Sequence, residues 1–128
     1  MTFSEMEAPF MRIVGEVVWS TVATVDARGR PRTRILHPIW EVVDGRPLGW
    51  IGTSRSPLKT RHLAATPYVS CAYWSPKQET AYADCRTEWA DDERERVWSV
   101  LRLAPWRVMV QTSGDLAAGR WYDRVWRA

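Results

Sequence analysis

Val17-Val18-Trp19-Ser20-Thr21-Val22-Ala23-Thr24-Val25 is rich in β-branched residues, and Asp26-Ala27-Arg28-Gly29 directly after it supplies turn chemistry before a strand pattern resumes from Arg32 to Val43. That succession predicts a β-hairpin. A second turn signal, Asp44-Gly45, feeds Leu48-Gly49-Trp50-Ile51-Gly52, a short strand whose glycines let another group approach the backbone closely. Three consecutive antiparallel strands therefore open the fold. Ahead of them, Met6, Phe10, Ile13 and Val14 recur at helical spacing within residues 4–14, and Pro9 limits how far a helix runs there.

Downstream, Thr53-Ser54-Arg55-Ser56-Pro57-Leu58-Lys59 reads as a polar loop entering a helix, with Ser56 as N-cap and Pro57 at the first helical position. Thr66-Pro67 ends that helix after Ala65, because a residue before proline is pushed out of helical geometry. Tyr68 to Trp74 and Thr80 to Trp89 read as strands separated by a loop, Ser75 to Glu79. Asp91-Asp92 then cap a predicted helix with Val97, Val100 and Leu101 on one face. Leu103 to Gln111 is a strand in which Pro105 marks an edge or bulged position, and Gly119 to Trp126 supplies a last one. Six or seven short strands with helices only as connectors predict a mostly β, small antiparallel barrel. Neither Gly-x-Gly-x-x-Gly nor a Walker-type glycine-lysine loop follows any strand, which argues against the usual dinucleotide fold.

With 128 residues, one domain over 1–128 is expected, at ~100–200 residues per domain. The 45% hydrophobic and 26% charged content fits an ordinary globular protein and excludes a disordered or collagenous chain. No apolar run approaches the ~18 residues needed to span a bilayer. The acidic start, Met1-Thr2-Phe3-Ser4-Glu5-Met6-Glu7, is unlike a secretory signal, so a cytoplasmic location is the expectation. A net charge of +3 does not require a nucleic-acid partner. Lys59 and Lys77 are the only lysines; the arginine excess suits forked anion recognition and equally fits the base composition of a source genome. Nine tryptophans are expected mostly in the core. Cys71 and Cys85 read as reduced thiols in strands, and with His37 and His62 they complete no metal-binding spacing.

The chemically informative stretch is Gly52-Thr53-Ser54-Arg55-Ser56-Pro57-Leu58-Lys59-Thr60-Arg61-His62-Leu63, where hydroxyls and cations gather at a helix start directly after a strand. Free N–H groups at a helix N-terminus carry partial positive charge, and Thr53, Ser54 and Lys59 would complete a phosphate cradle around them. The same pattern also occurs as a plain capped helix with a solvated lysine. Arg32 and Arg34 alternate along their strand and share one face, either as a second cation source or as surface arginines. The acidic group Glu88, Asp91, Asp92, Glu93 and Glu95 needs no role beyond a helix cap and first turn. His37 and His62 form no catalytic dyad or triad with neighbouring residue types, so no catalytic residue is assigned, and Trp74 stands as a candidate border to a planar ligand.

Gly29-Arg30-Pro31-Arg32-Thr33-Arg34-Ile35-Leu36 resembles the Gly-x-Pro-x-x-Arg-x-Val strand of the flavin-binding split β-barrels typified by pyridoxamine 5′-phosphate oxidase. Lys59-Thr60-Arg61-His62-Leu63 with Pro67 is similar to the Lys-x-x-x-Leu…Pro helix of these proteins and of their F420-binding relatives. The resemblance covers nearly the whole chain and implies a six-stranded antiparallel split β-barrel, assembled as a homodimer with cofactor sites between the subunits. It implies that Arg34, Thr53 and Lys59 hold the phosphate of FMN, or of F420, and that backbone around Ile35 and Leu36 faces the isoalloxazine ring. Where the oxidases have a Ser-Arg pair before the lysine, this chain has Pro57-Leu58, with Ser54 and Ser56 as replacement donors. Arg120-Trp121-Tyr122-Asp123-Arg124 is similar to their Arg-x-His-Asp-Arg segment with Tyr122 in place of histidine, a departure from true pyridoxamine phosphate oxidation. The connection after Asp92 is also shorter than in near relatives. The implied function is a flavin-dependent oxidoreductase passing a hydride between its flavin and a small organic substrate. A non-catalytic flavin or haem carrier and, further off, a single-stranded nucleic-acid binder are the alternatives.

Overall fold

A computed structural model describes residues 1–54, 57–90 and 98–128, and within these the side chains of 54, 57–60 and 98 fall outside the description. A short 3-10 turn, Phe3–Glu5, leads into helix α1, Glu7–Val17. Pro9 sits in the first turn of α1, where its missing N–H has no intrahelical partner to lose, so the helix runs past it. The strands are β1 Ser20–Val25, β2 Pro31–Leu36, β3 Ile39–Val43, β4 Arg46–Ser54, β5 Tyr68–Trp74, β6 Thr80–Trp89, β7 Trp98–Gln111 and β8 Arg124–Arg127. Helix α2, Pro57–Ala65, follows β4, and α3, Ser113–Ala117, follows β7. The N-cap expected at Ser56 lies outside the described residues.

All pairings among the described strands are antiparallel, in the order β2-β1-β5-β6-β7-β4-β3, with β8 added to β7. The two ends of that path, β2 and β3, are consecutive in sequence and joined only by His37 and Pro38. Leu36 and Ile39 are thus no more than about 11 Å apart along an extended chain. The sheet must curl until its ends meet at that joint, and because β2 and β3 do not pair, the barrel stays split there. The antiparallel split barrel expected from sequence is present, with eight strands among the described residues. Seven strand segments were expected and eight are present because Arg32 to Val43 is two strands: Pro38 has no N–H to give to a ladder, and pairing stops at Leu36 and resumes at Ile39.

Residues Val100 and Leu101, expected on one face of a helix, lie in β7 with Val100 exposed and Leu101 buried. Their period is two, because β7 is paired on both flanks, by β4 and β6, and Leu101 faces Ile51 across the ladder. Asp91, Asp92 and Val97 lie outside the described residues. Pro105 does mark a bulge: Cys85 pairs with Pro105 and Asp84 with Arg107, leaving Trp106 over. There β7 exchanges its partner on one side, from β4 to β8. The last strand begins at Arg124 and not at Gly119, because residues 119–123 turn back, with the Tyr122 N–H on the Gln111 side chain and the Arg120 N–H on the Asp115 carbonyl in α3. The capping box of α3, Thr112 accepting from the Asp115 backbone while Asp115 accepts from that of Thr112, is a Thr-x-x-Asp signal visible in the sequence.

The interior is filled from one end by α1 and the strand faces. Phe3 meets Phe10 and Trp126 edge-on, and Phe10 meets Trp40 the same way. The Trp40 indole donates to the Tyr73 hydroxyl at 2.9 Å and lies across Gly49, where a Cβ would come within 2.7 Å of the ring. Gly49 is glycine because the tryptophan occupies the space a side chain would need. Tryptophans are otherwise less buried than expected: Trp40 and Trp126 are core residues, whereas Trp19, Trp74, Trp106 and Trp121 are exposed. Cys71 and Cys85 are free and buried in β5 and β6, as expected.

Three buried carboxylates tie the connections to this core. Asp26 accepts from the backbone N–H groups of Arg28 and Arg30 and from the Arg30 side chain, which closes the β1–β2 turn. Glu79 takes both terminal nitrogens of Arg12, at 2.7 and 2.9 Å, and the Ser113 N–H at 3.0 Å, so α1, the β5–β6 loop and α3 share one anchor. Asp115 holds Arg124 at 2.9 Å and Arg120 at 3.4 Å, pinning the last turn before β8. Hydrogen bonds from Arg12 hold Glu79 at about 2, well below its ordinary 4.5. Burial pushes Asp115 upward, but Arg124 and Thr112 outweigh it and bring it to about 2. Between these values and the ordinary ones the unfolded chain binds more protons than the native one, so stability must fall as pH drops from about 5 to about 2. Glu79→Gln is expected to lower stability at pH 7 by about 1–2 kcal/mol, since Arg12 is half exposed, and to flatten the acid limb of a stability-versus-pH curve from urea unfolding. An unchanged acid limb would contradict this assignment.

Candidate functional site

The end of β4 carries the first part of the site. Side chains of β4 alternate, so Ile51 and Thr53 point inward while Trp50 and Gly52 point outward. Thr53 is buried, 3% exposed, one layer beyond Ile51 and a few residues before α2. Its partner across the ladder is Ser99 of β7, also inward and 2% exposed. Among the described residues the Ser99 hydroxyl has no hydrogen-bond partner. Helix α2 starts at Pro57, and its first-turn N–H groups have no intrahelical acceptor. Ser54 pairs through its backbone with Trp98, and Lys59 lies in the first turn of α2; both side chains are outside the description.

The second part is β2. Its backbone pairs with β1 alone, so among the described residues its other edge carries unpaired N–H and C=O groups. Arg34 lies opposite Val22 on the side of the strand that faces the barrel, and its guanidinium donates to the buried Thr24 hydroxyl at 3.1 Å. No carboxylate among the described residues pairs with it. Ile35 points outward, 60% exposed, and Leu36 is half-buried against the core. Arg32, expected beside Arg34, is exposed, with no partner among the described residues.

Register brings the two parts together. The β3–β4 ladder stops at Ile39 opposite Trp50, and β4 continues past it to Ser54. Carried on, that ladder would set residues 37 and 36 against Gly52 and Thr53, but at this level the chain has turned away to join β1. The split therefore opens beside Gly52 to Ser54, with the Leu36 end of β2 as its other wall. On the outward face, a Cβ on Gly52 would meet nothing within 4 Å. Among the described residues, a guanidinium without a carboxylate, a buried hydroxyl without a hydrogen-bond partner and a strand edge without a ladder are complementary to an anionic group carried on a planar, hydrogen-bonding body.

Other sequence candidates fall elsewhere. Arg120 and Arg124 are both committed to Asp115, and Tyr122 sits at φ 56 with its N–H bound to Gln111. Their charge is spent inside the fold. Trp74 is exposed at the end of β5, its indole on Gln78 at 3.2 Å. His62 is buried in α2, and His37 is exposed beside the Trp19 ring. Glu88 is exposed and paired with Arg102. Sequence reading passed over Ser99 and Thr24. Ser99 was hidden by the helical spacing of its neighbours, although Ser99, Leu101 and Leu103 alternate as an inward strand face.

No family model matches the chain, and no curated protein matches it. Solved structures do. General stress protein 26 from Bacillus anthracis superposes with a TM-score of 0.73 at 10% identity, over 97% of this chain and 99% of that one. A pyridoxamine 5′-phosphate oxidase-related FMN-binding protein from Nostoc punctiforme gives 0.66 at 13% identity, over 85% and 82%. An F420 reductase gives 0.61 at 13% identity, over 77% and 94%. At such identities the likeness carries the architecture. The chain has the split β-barrel fold of the pyridoxamine 5′-phosphate oxidase-like proteins.

Proposed function

We propose that the chain binds a phosphorylated flavin, FMN or F420, at the split between β2 and β4 and acts as an oxidoreductase on a small organic substrate. The observation that carries this reading is Arg34, a guanidinium with no carboxylate partner among the described residues, on β2, a strand whose second edge is unpaired among them. The FMN-binding and F420 names among the similar structures support the same cofactor class. In this reading Arg34, Thr53, Ser54 and Lys59 take the phosphate, and the free edge of β2 around Ile35 and Leu36 orients the ring. A bound flavin supplies hydride transfer. The chain's own part is to hold the phosphate, fix the ring against the backbone and keep water from one of its faces; no side-chain acid or base is assigned.

A homodimer belongs to the same proposal. The outward faces of β3, β4 and β7 set exposed Ile39, Val43 and Val100 beside half-buried Leu48 and Trp50, with Glu41, Arg46 and Arg102 interspersed on the same face. A second copy of this chain covering that surface would close the open side of the cofactor site. Sedimentation should give a dimer at micromolar concentration, and Ile39→Glu a folded monomer with weakened flavin binding; a monomeric wild-type protein would remove the dimer.

Titration with FMN and with F420, followed in the visible spectrum, should show saturable binding of one of them. Lys59→Ala and Arg34→Ala should each weaken it by about 1.5–3 kcal/mol, the range for a charge-assisted contact, with little change in folding. If neither flavin binds, or both variants bind as wild type, the phosphate site is wrong. Turnover of the reduced cofactor with an electron acceptor separates an oxidoreductase from a carrier.

A further inference from the structure

The family-like pattern is short of phosphate donors in this chain, because Pro57 and Leu58 stand where a serine and an arginine would contribute, and Pro57 lacks a backbone N–H as well. An unassigned donor stands on the neighbouring strand. Ser99 is 2% exposed, faces inward directly across from Thr53, and its hydroxyl has no hydrogen-bond partner among the described residues. Directly opposed side chains in an antiparallel ladder have Cβ atoms about 4.5–5.5 Å apart, so one oxyanion can be shared by both hydroxyls. Ser99 is flanked along β7 by Leu101 and Leu103, both buried and apolar, and an apolar residue would be the expected filling at its position. A buried hydroxyl without a partner costs free energy in the unliganded fold, and such groups in native structures are normally satisfied.

We propose that Ser99 is a phosphate-binding residue of the cofactor site, donating its hydroxyl hydrogen bond to the anion held by Thr53 and the start of α2. The assignment rests on the flavin reading above for the identity of the anion, but the hydroxyl's role is set by the anion alone. It places a site residue on β7, a strand with no part in the sequence-based cradle. It also makes the β4–β7 pair, and not β4 alone, the floor of the phosphate site.

The test uses Ser99→Ala in the full chain, with FMN, F420, riboflavin and inorganic phosphate as probes. Removing an unsatisfied hydroxyl should leave the unliganded protein as stable as wild type or slightly more stable, which a structural role for Ser99 would not allow. FMN affinity should fall about 10-fold, riboflavin affinity should not change, and the rise in melting temperature given by inorganic phosphate at constant ionic strength should shrink. If FMN binds wild type and Ser99→Ala equally, the assignment is overturned while the flavin reading stands. If inorganic phosphate stabilises wild type but not the variant and neither FMN nor F420 binds, Ser99 is confirmed and the flavin reading fails. A wild-type protein indifferent to all of these probes overturns both, and a variant that is less stable without ligand makes Ser99 a structural residue.

Discussion

The joint at His37 and Pro38 governs this structure. It links the two strands that terminate the hydrogen-bonded path, β2 and β3, and so forces a seven-strand sheet to curl back on itself. A longer connection would let the sheet lie open; a pairing between β2 and β3 would seal it. Pro38, with no N–H to donate, breaks what would otherwise be one continuous strand, and the outcome is a barrel with one seam. The proposed site draws on that seam: the edge of β2 that is unpaired among the described residues, Arg34, and the overhanging end of β4 with Thr53.

Charge distribution reinforces the same location. Arginines 12, 30, 102, 107, 120 and 124 each have a carboxylate within 4 Å, and those on Glu79, Asp26 and Asp115 serve the packing of connections. Arg34 instead meets the neutral Thr24 hydroxyl. A partly buried cation left with a neutral partner is poorly compensated, and an anionic ligand would supply the missing charge. Native Arg120 and Arg124 make the opposite case: the segment resembling a phosphate-binding motif has its cations drawn inward to Asp115, in keeping with a ligand other than a pyridoxamine phosphate.

Much of this was legible in the residues. β-branched runs and the turn signals Asp26-Ala27-Arg28-Gly29 and Asp44-Gly45 predicted the hairpins, and the Gly-x-Pro-x-x-Arg strand with the Thr-to-Lys spacing pointed to β2 and the β4–α2 junction. What escaped reading did so for local reasons. Val97, Val100 and Leu101 have helical spacing by coincidence, and only the pairing of β7 on both flanks shows that Val100 and Leu101 alternate. The break at Pro38 was readable from proline's own constraints but was overrun by the β-branched residues around it. Asp115 was overlooked because its capping box is short and its ion pairs come from residues that carried a different resemblance.

The central claim is that the ligand is held through its phosphate at this seam, and the most direct test is the ratio of affinities for FMN and for riboflavin, which share a ring and differ in that group. With Arg34, Thr53 and the start of α2 on the phosphate, FMN should bind at least about 100-fold more tightly, the worth of two charge-assisted contacts. Equal affinities would place the ligand's recognition elsewhere on the barrel and contradict the account.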